Sequence, residues 1–487
     1  MPSVYIETFG CQMNEADSRY IAERALNAGY SVASVPEDAN VVILNTCTVR
    51  DSAERRAYGR MNHFNALKRH DPSLRLVVTG CLAEQDRDRM QKLAPHVDAI
   101  FGTRELALLG DQLAVWEPGL REAAEALDLQ DAGDESMLRF AMGGTADGVM
   151  DSFSHLRAFV TVQRGCSYYC TFCIVPHVRG RFDHRPQSEI LAETSRRVAE
   201  GAREIVLVGQ TVNAWCDRPG GADFGDLCHE VARLQGLERL TFISPHPKDF
   251  TEKIVEDLAR IDSLNPRIHL PLQSASDSLL RRMNRKYTLA QFDEKAQMLR
   301  GRIPQCAITT DIIVGFPGET EEDFAATLNY VSTGVFANAF TFIYSKRRGT
   351  PAARWDQVPR DVVLERFQRL VDEQNRVTRA YHERKAGGIV RALIVGDSKK
   401  DPSRLTAKTL DNVTVVAPKP YDYAPAAPAR PHPYAQTPWL DIAIESGHVW
   451  GCMGRVVRRA ARFAEVGEPA MPGLVDLTAL QPELPRR

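Results

Sequence analysis

The sequence predicts an α/β protein in three parts: a parallel sheet, then a βα barrel, then a small all-β module. Three observations predict it. In the first hundred residues the apolar runs VYIETFG, VVILNT and LRLVVTG are each followed by polar, helix-forming sequence. Between Phe159 and Ser345 six further apolar runs repeat the strand-then-helix alternation. Beyond Arg384 the pattern changes to short β-like pieces with no helix between them.

With 487 residues and about 150 residues per domain, the chain has room for roughly three cores. The first, residues 1–116, reads as a Rossmann-like parallel sheet. Cys11, Cys47 and Cys81 each follow a predicted strand directly, so their thiols are expected along the carboxyl edge of one sheet, where open α/β sheets bind ligands. Residues 117–153 read as a linker, with eight carboxylates against Arg121 and Arg139 between Glu117 and Met150 and a Gly-rich GGTADG. Residues 154–384 hold FVTVQ, EIVLVG, RLTFI, RIHLPLQ, CAITTDIIVGF and NAFTFIYS, separated by helical stretches such as QSEILAETSRRVAEG and TEEDFAATLNYVS. Six such units make a barrel, whole or partial. A helix near Arg360 to Arg384 closes this part. Residues 385–463 carry IVRALIVG, RLTAKTL, NVTVVAP and HVWGCMGRVVRRA, interrupted over 418–438 by seven prolines and five alanines that exclude a central strand. Residues 464–487 form a Pro- and Leu-rich tail.

Hydrophobic residues at 44% and charged residues at 25% exclude wholesale disorder. MPSVYIETFG offers no basic and apolar leader, and no apolar run approaches 18 residues, so a cytoplasmic protein without membrane attachment is expected. The net charge of -2 hides a gradient. Residues 385–463 carry twelve Lys/Arg against six Asp/Glu, and a polyanion should prefer that end. Ten cysteines are too few for a disulfide framework, so their placement is what informs.

The run RGCSYYCTFCIVPHVRGR sets Cys166, Cys170 and Cys173 at C-x3-C-x2-C on the loop after FVTVQ. A closed tetrahedral zinc site wants four ligands, and no Cys or His at zinc-finger spacing completes one, although His177 lies four residues on. A 4Fe-4S cluster on three thiolates leaves one iron open to a further ligand. From the residues alone, a cluster, a structural zinc and unligated cysteines all stay open.

This spacing resembles that of the radical S-adenosylmethionine (SAM) enzymes, and TFGCQMNEADS, NTCTVRDSAERR and TGCLAEQ are similar to the N-terminal domain of methylthiotransferases. The resemblance implies a partial (βα)6 radical-SAM barrel and a TRAM-like RNA-binding β-barrel. It implies two 4Fe-4S clusters, one on Cys166, Cys170 and Cys173 that binds and cleaves SAM, the other on Cys11, Cys47 and Cys81. GCQMN, GQTVNAW, SPHP, HLPLQSASD, IVGFPGET and FIYSKRRGTP look like the tRNA 2-methylthio-N6-isopentenyladenosine synthases. That likeness implies methylthiolation at C2 of isopentenyladenosine 37 in tRNA, with an electron donor and a sulfur source as partners. A methylthiotransferase of threonylcarbamoyladenosine or of a ribosomal-protein aspartate, and an RNA-binding protein with structural metal sites, are the rival readings.

The resemblance further makes Phe172 an adenine neighbour, Gln210 and Asn213 contacts of SAM's methionine part, Gln273 and Ser274 contacts of its ribose, and Gly315 a close backbone approach to adenine. Each has a plainer reading: a core aromatic, loop caps, a tight turn. The chain departs from the family at Ala275 in QSAS, at Arg347 and Arg348, and in the Pro/Ala insertion. Arg455, Arg458, Arg459 and Arg462 are candidate RNA contacts, with Arg347 and Arg348 next.

Overall fold

The computed structural model describes residues 1–48, 51–120, 156–420 and 439–460. Nearly all of the acidic linker, the Pro/Ala insertion from 421 to 438, the tail and Arg462 lie outside these. The chain divides into two compact units: Met1–Tyr169, Cys173–Asp217 and Arg347–Thr350 form the first, while Cys170–Phe172, Arg218–Lys346 and Pro351–Arg487 form the second. This division follows packing and not the count of βα repeats, so the first two strands of the central alternation group with the N-terminal sheet.

The first unit is built on β1 (Ser3–Thr8), β2 (Ser31–Val32), β3 (Val41–Thr46), β4 (Arg75–Gly80) and β5 (Ala99–Phe101), in the order β2-β1-β3-β4-β5, with every pairing parallel. Helices α1 (Gln12–Asn27), α2 (Asp51–His70), α3 (Cys81–Leu93) and α4 (Leu108–Trp116) alternate with the strands. All six residues of β3 are buried, which is why it reads as a continuous apolar run. Val42 and Leu44 pack on one face with Ala57, Met61 and Phe64 of α2. Val41 and Ile43 pack on the other with Ile21, Ala25, Leu109 and Leu113 of α1 and α4. The strand order reverses between β1 and β3, and the crevice beyond the strand ends at such a reversal is the usual ligand site of a doubly wound sheet.

The same unit contains β6 (Arg157–Thr161), β7 (Gln163–Arg164), the one-turn helix α5 (Val175–Val178), β8 (Asp183–His184), α6 (Gln187–Ala199) and β9 (Glu204–Val208), with β6 and β9 parallel. In the second unit the repeats continue through α7 (Phe224–Ala232), β10 (Arg239–Phe242), α8 (Glu252–Ala259), β11 (Arg267–His269), α9 (Asp277–Arg282), α10 (Leu289–Arg302), β12 (Ala307–Val314), α11 (Glu321–Ser332) and β13 (Asn338–Ile343). β11, β12 and β13 form a parallel sheet.

After α12 (Arg360–Glu383) the strands β14 (Ile389–Asp397), β15 (Arg404–Thr409), β16 (Thr414–Pro418), β17 (Trp439–His448) and β18 (Gly451–Ala460) close into a barrel in the order β14-β15-β16-β18-β17. The sequence reading missed β17 and took HVWGCMGRVVRRA as one piece, whereas the chain turns at Val449–Trp450. An aspartate amid WLDIAIES masks the strand, because buried Asp441 is neutralised by Arg391 at 2.9 Å and Arg458 at 2.7 Å. Trp439 anchors the barrel in the second unit. It is fully buried, donates its indole N–H to Glu238, and has the Arg239 guanidinium over its ring.

Candidate functional site

The three N-terminal thiols stand at the ends of β1, β3 and β4, neighbours in the sheet. Cys11 caps α1, Cys81 is the first residue of α3, and Cys47 follows β3 directly. Two of the three therefore sit at helix N-termini, where the helix dipole favours a thiolate. Gly10 brings the β1 turn against Cys47: its φ is +112°, and a Cβ there would lie 2.7 Å from the Cys47 Sγ. Asn14 ties the crest together by donating to the Phe9 carbonyl at 2.7 Å and the Thr46 carbonyl at 3.0 Å. Asn45 donates back to the Asn14 carbonyl at 2.8 Å and to Ser18 Oγ at 2.9 Å.

Cys81 is enclosed by Ile174, which precedes α5, and Val178, its last residue. Burial pushes its thiol up to about 12, opposed by Arg179 and reinforced by the nearby Cys47 and Cys11. Arg179 Nε donates to Cys81 Sγ at 3.3 Å, and its Nη2 to Asp17 Oδ2 at 2.7 Å and Asn14 Oδ1 at 3.1 Å. A zinc ion holding thiolates at about 2.3 Å requires sulfurs roughly 4 Å apart. Cys11, Cys47 and Cys81 do not have all three sulfurs within 4.8 Å of one another; among the described residues only the carboxylates of Asp223, Asp226 and Asp257 form such a group. Those carboxylates already share the Lys253 ammonium at 2.9 to 3.0 Å. Three thiols on neighbouring strand ends would suit a polynuclear cluster, whose ligands sit on different iron atoms.

The second trio lies on the loop between β7 and α5, and its backbone is fixed at several points. Cys166 N donates to the Gly180 carbonyl at 3.0 Å, and its Sγ lies 3.4 Å from Thr211 Oγ1. In the second unit Thr171 donates through N to the Met283 carbonyl at 3.1 Å and through Oγ1 to the Arg282 carbonyl at 3.0 Å, while accepting from Ala352 N at 3.0 Å. Cys170 is buried, and Arg285 Nη1 donates to its Sγ at 3.5 Å. No disulfide joins any of the ten cysteines.

The other predicted residues fall into two groups. Gln210 and Asn213 stand on the turn after β9, where the Gln210 Oε1 is buried without a hydrogen-bond partner. Gln273 is buried with a φ of +71°, a strained conformation of the kind that concentrates at binding sites. The remainder have evident packing roles. Phe172 joins Leu279, Met283, Phe316 and Ala352 in an apolar cluster and meets Phe316 edge-on. Ser274 Oγ accepts from Ser276 N and lies 3.2 Å from Thr327 Oγ1. Gly315, at φ +73°, faces α12, where a Cβ would come 2.5 Å from Val363 Cγ2. Its N–H donates to Glu319, whose carboxyl burial lifts to about 7 against the pull of that N–H and of Arg366. His246 of the SPHP motif, given no role above, caps the turn Pro247–Asp249 by accepting from Lys248 N.

The sequence reading missed Asp17, Asn14, Gln163, Arg179 and Arg285. Gln163 Oε1 accepts from the N–H groups of Gln210 and Thr211 at 3.1 Å, and its Nε2 donates to the Arg164 and Gly165 carbonyls. One side chain thereby fixes both the start of the cysteine loop and the turn after β9. Only its place at the end of a predicted strand signalled this.

Residues 3–102 match the family described as Uncharacterized protein family UPF0004, and residues 160–331 match the Radical SAM superfamily. The chain is 38% identical over 414 residues to the tRNA-2-methylthio-N(6)-dimethylallyladenosine synthase of Syntrophotalea carbinolica, covering 85% of this chain and 92% of that protein. It is 42% identical over 418 residues to the protein of the same name from Thermobifida fusca, covering 84% and 81%. In fold it is similar to the radical S-adenosylmethionine methyltransferase TsrM of Kitasatospora setae, solved with cobalamin and a [4Fe-4S] cluster bound. There the TM-score is 0.52 at 14% identity, covering 72% of this chain and 77% of that one.

Proposed function

Because the chain belongs to the tRNA-2-methylthio-N6-dimethylallyladenosine synthase family, we propose that it converts N6-dimethylallyladenosine 37 of tRNA to its 2-methylthio derivative, using SAM and two 4Fe-4S clusters. The observation that carries this reading is the presence of two cysteine trios, one on the loop of the radical-SAM region and one along a sheet edge at its topological reversal. When bound, a cluster on Cys166, Cys170 and Cys173 supplies the electron that cleaves SAM, and a cluster on Cys11, Cys47 and Cys81 supplies the site where sulfur is held for transfer. An electron donor and a sulfur source are the further partners.

The chain's own residues position and shield. Gln163 fixes the turn bearing Gln210 and Asn213, and the unpartnered Gln210 Oε1 is left to accept from a ligand ammonium. Asn14 and Asn45 tie the ends of β1 and β3 together. Nucleoside mass spectrometry of bulk tRNA from a deletion strain tests the substrate. Loss of 2-methylthio-N6-isopentenyladenosine with accumulation of its unthiolated precursor is expected. An unchanged level of that nucleoside, with loss of the methylthiolated threonylcarbamoyl form, would transfer the assignment to the rival substrate.

The C-terminal barrel is the proposed tRNA surface. Arg455, Arg458 and Arg459 are exposed on β18, and Arg458 also pairs with Asp441. Trp450, 54% exposed at the β17–β18 turn, stacks on His448 with ring centroids 5.3 Å apart. Of the alternative cations, Arg347 is buried and Arg348 pairs with Asp86. Arg455→Ala together with Arg459→Ala is expected to weaken tRNA binding and to reduce the salt slope by about 2, since each lost phosphate contact removes about one released counterion. Unchanged affinity and slope would place the RNA surface elsewhere. Point substitution is preferred to truncation after Arg384, which would strip Trp439 from its seat beside Glu238.

A further inference from the structure

In each cysteine trio a guanidinium is aimed at a sulfur. Arg179 reaches Cys81 Sγ at 3.3 Å and Arg285 reaches Cys170 Sγ at 3.5 Å. We propose that these two arginines are the positioning and charge-setting residues of the two clusters, Arg179 for the cluster on Cys11, Cys47 and Cys81 and Arg285 for the one on Cys166, Cys170 and Cys173. The inference rests on the two-cluster reading of the proposed function.

Three ligating thiolates gather negative charge, and reduction adds one more unit. An N–H donated to a ligating sulfur stabilises that added charge and raises the reduction potential. The two arginines are not equivalent. Arg179 also contacts Asp17 at 2.7 Å, in a pair whose side chains are 5% and 2% exposed, so much of its charge is already neutralised. What it adds is direction: its fork engages Asp17, Asn14 and Cys81 together, a geometry an ammonium cannot reproduce. Its place just after α5 also matters, because Ile174 and Val178 of the same segment pack on Cys81. The chain that leaves Cys173 therefore supports the other trio.

Arg285 donates to the Pro271 carbonyl at 3.1 Å and to the Tyr287 hydroxyl at 2.9 Å, and lies over the Tyr287 ring. Among the described residues no carboxylate pairs with it. A partly buried cation without a counter-anion is costly by itself, and the cost is offset when the neighbouring sulfur becomes a ligating thiolate. The larger electrostatic effect is therefore expected at Arg285.

The test is a potentiometric titration, followed by electron paramagnetic resonance, of the full-length reconstituted protein and of Arg285→Gln, Arg285→Lys, Arg179→Gln and Arg179→Lys. The SAM-binding cluster is recognised as the signal that changes when SAM is added. Arg285→Gln should lower the potential of that signal by at least a tenfold change in its reduction equilibrium, about 59 mV for one electron, and leave the other unmoved. Arg285→Lys should restore much of it. Arg179→Gln should shift only the SAM-insensitive signal, by less, and Arg179→Lys should not restore it. Unchanged potentials at full iron content, or both signals moving together, would overturn the assignment. If Arg179→Gln loses its cluster, Arg179→Lys decides: a shifted SAM-insensitive signal supports the role, and an unshifted one refutes it. A wild-type protein with one signal and about four iron atoms would instead refute the two-cluster reading.

Discussion

Changing Cys166, Cys170 and Cys173 together to alanine is expected to abolish reductive cleavage of SAM and to leave about four iron atoms per chain where the proposed two clusters would give the unmodified protein about eight, four to each cubane. The expectation of survival at the first trio comes from how the loop is held. Its anchors are backbone and hydroxyl groups: Cys166 N to Gly180 O, Thr171 N to Met283 O, and Thr171 Oγ1 to Arg282 O. These three do not use a cysteine sulfur, and the substitution removes only the contacts of Cys166 Sγ with Thr211 and of Cys170 Sγ with Arg285 from those described above. The loop should keep its course without its thiols, and with it Ile174, Val178 and Arg179 should keep their hold on Cys81. Iron and sulfide analysis after anaerobic reconstitution, beside an assay for 5'-deoxyadenosine, reads both effects. Complete loss of iron would mean that the first trio cannot hold its cluster unless the second is filled.

What could be read from the sequence was local. A strand followed by a helix leaves an apolar run and a turn, so the parallel sheet and the βα repeats were legible, and so were three cysteines each placed just after a strand. The groups that surround those cysteines were not. Arg179 meets Asp17 across 162 positions and Cys81 across 98, and Arg285 meets Cys170 across 115. A contact between residues so far apart imposes no periodicity on either neighbourhood, so an arginine destined for a thiol looks like any surface arginine until the chain is folded. Gly315 shows the same. The resemblance makes it a close backbone approach to adenine and the plainer reading a tight turn, while the neighbour a Cβ there would meet, Val363, lies forty-eight positions later on α12 and leaves no local signal. β17 escaped for a third reason: its buried aspartate breaks the apolar pattern, and only Arg391 and Arg458 make it tolerable there.

Changing Cys11, Cys47 and Cys81 together to alanine is expected to separate radical formation from sulfur transfer: 5'-deoxyadenosine should still form under strong reductant, and no methylthiolated nucleoside should appear. The variant should fold. Cys47 and Cys81 are 1% and 3% exposed, and shortening such a small side chain costs on the order of 1 kcal/mol, while Asn14, Asn45 and the two apolar faces of β3 stay intact. One cost is specific to this site. Without the Cys81 sulfur, Arg179 keeps Asp17 and Asn14, so its charge remains paired and the segment from Ile174 to Arg179 remains tied to the sheet. The second trio should then be filled, with about four iron atoms per chain retained. Loss of SAM cleavage in a variant that keeps its circular dichroism and this iron would show that the first trio takes part in radical formation itself, and the division of labour between the two trios would have to be abandoned.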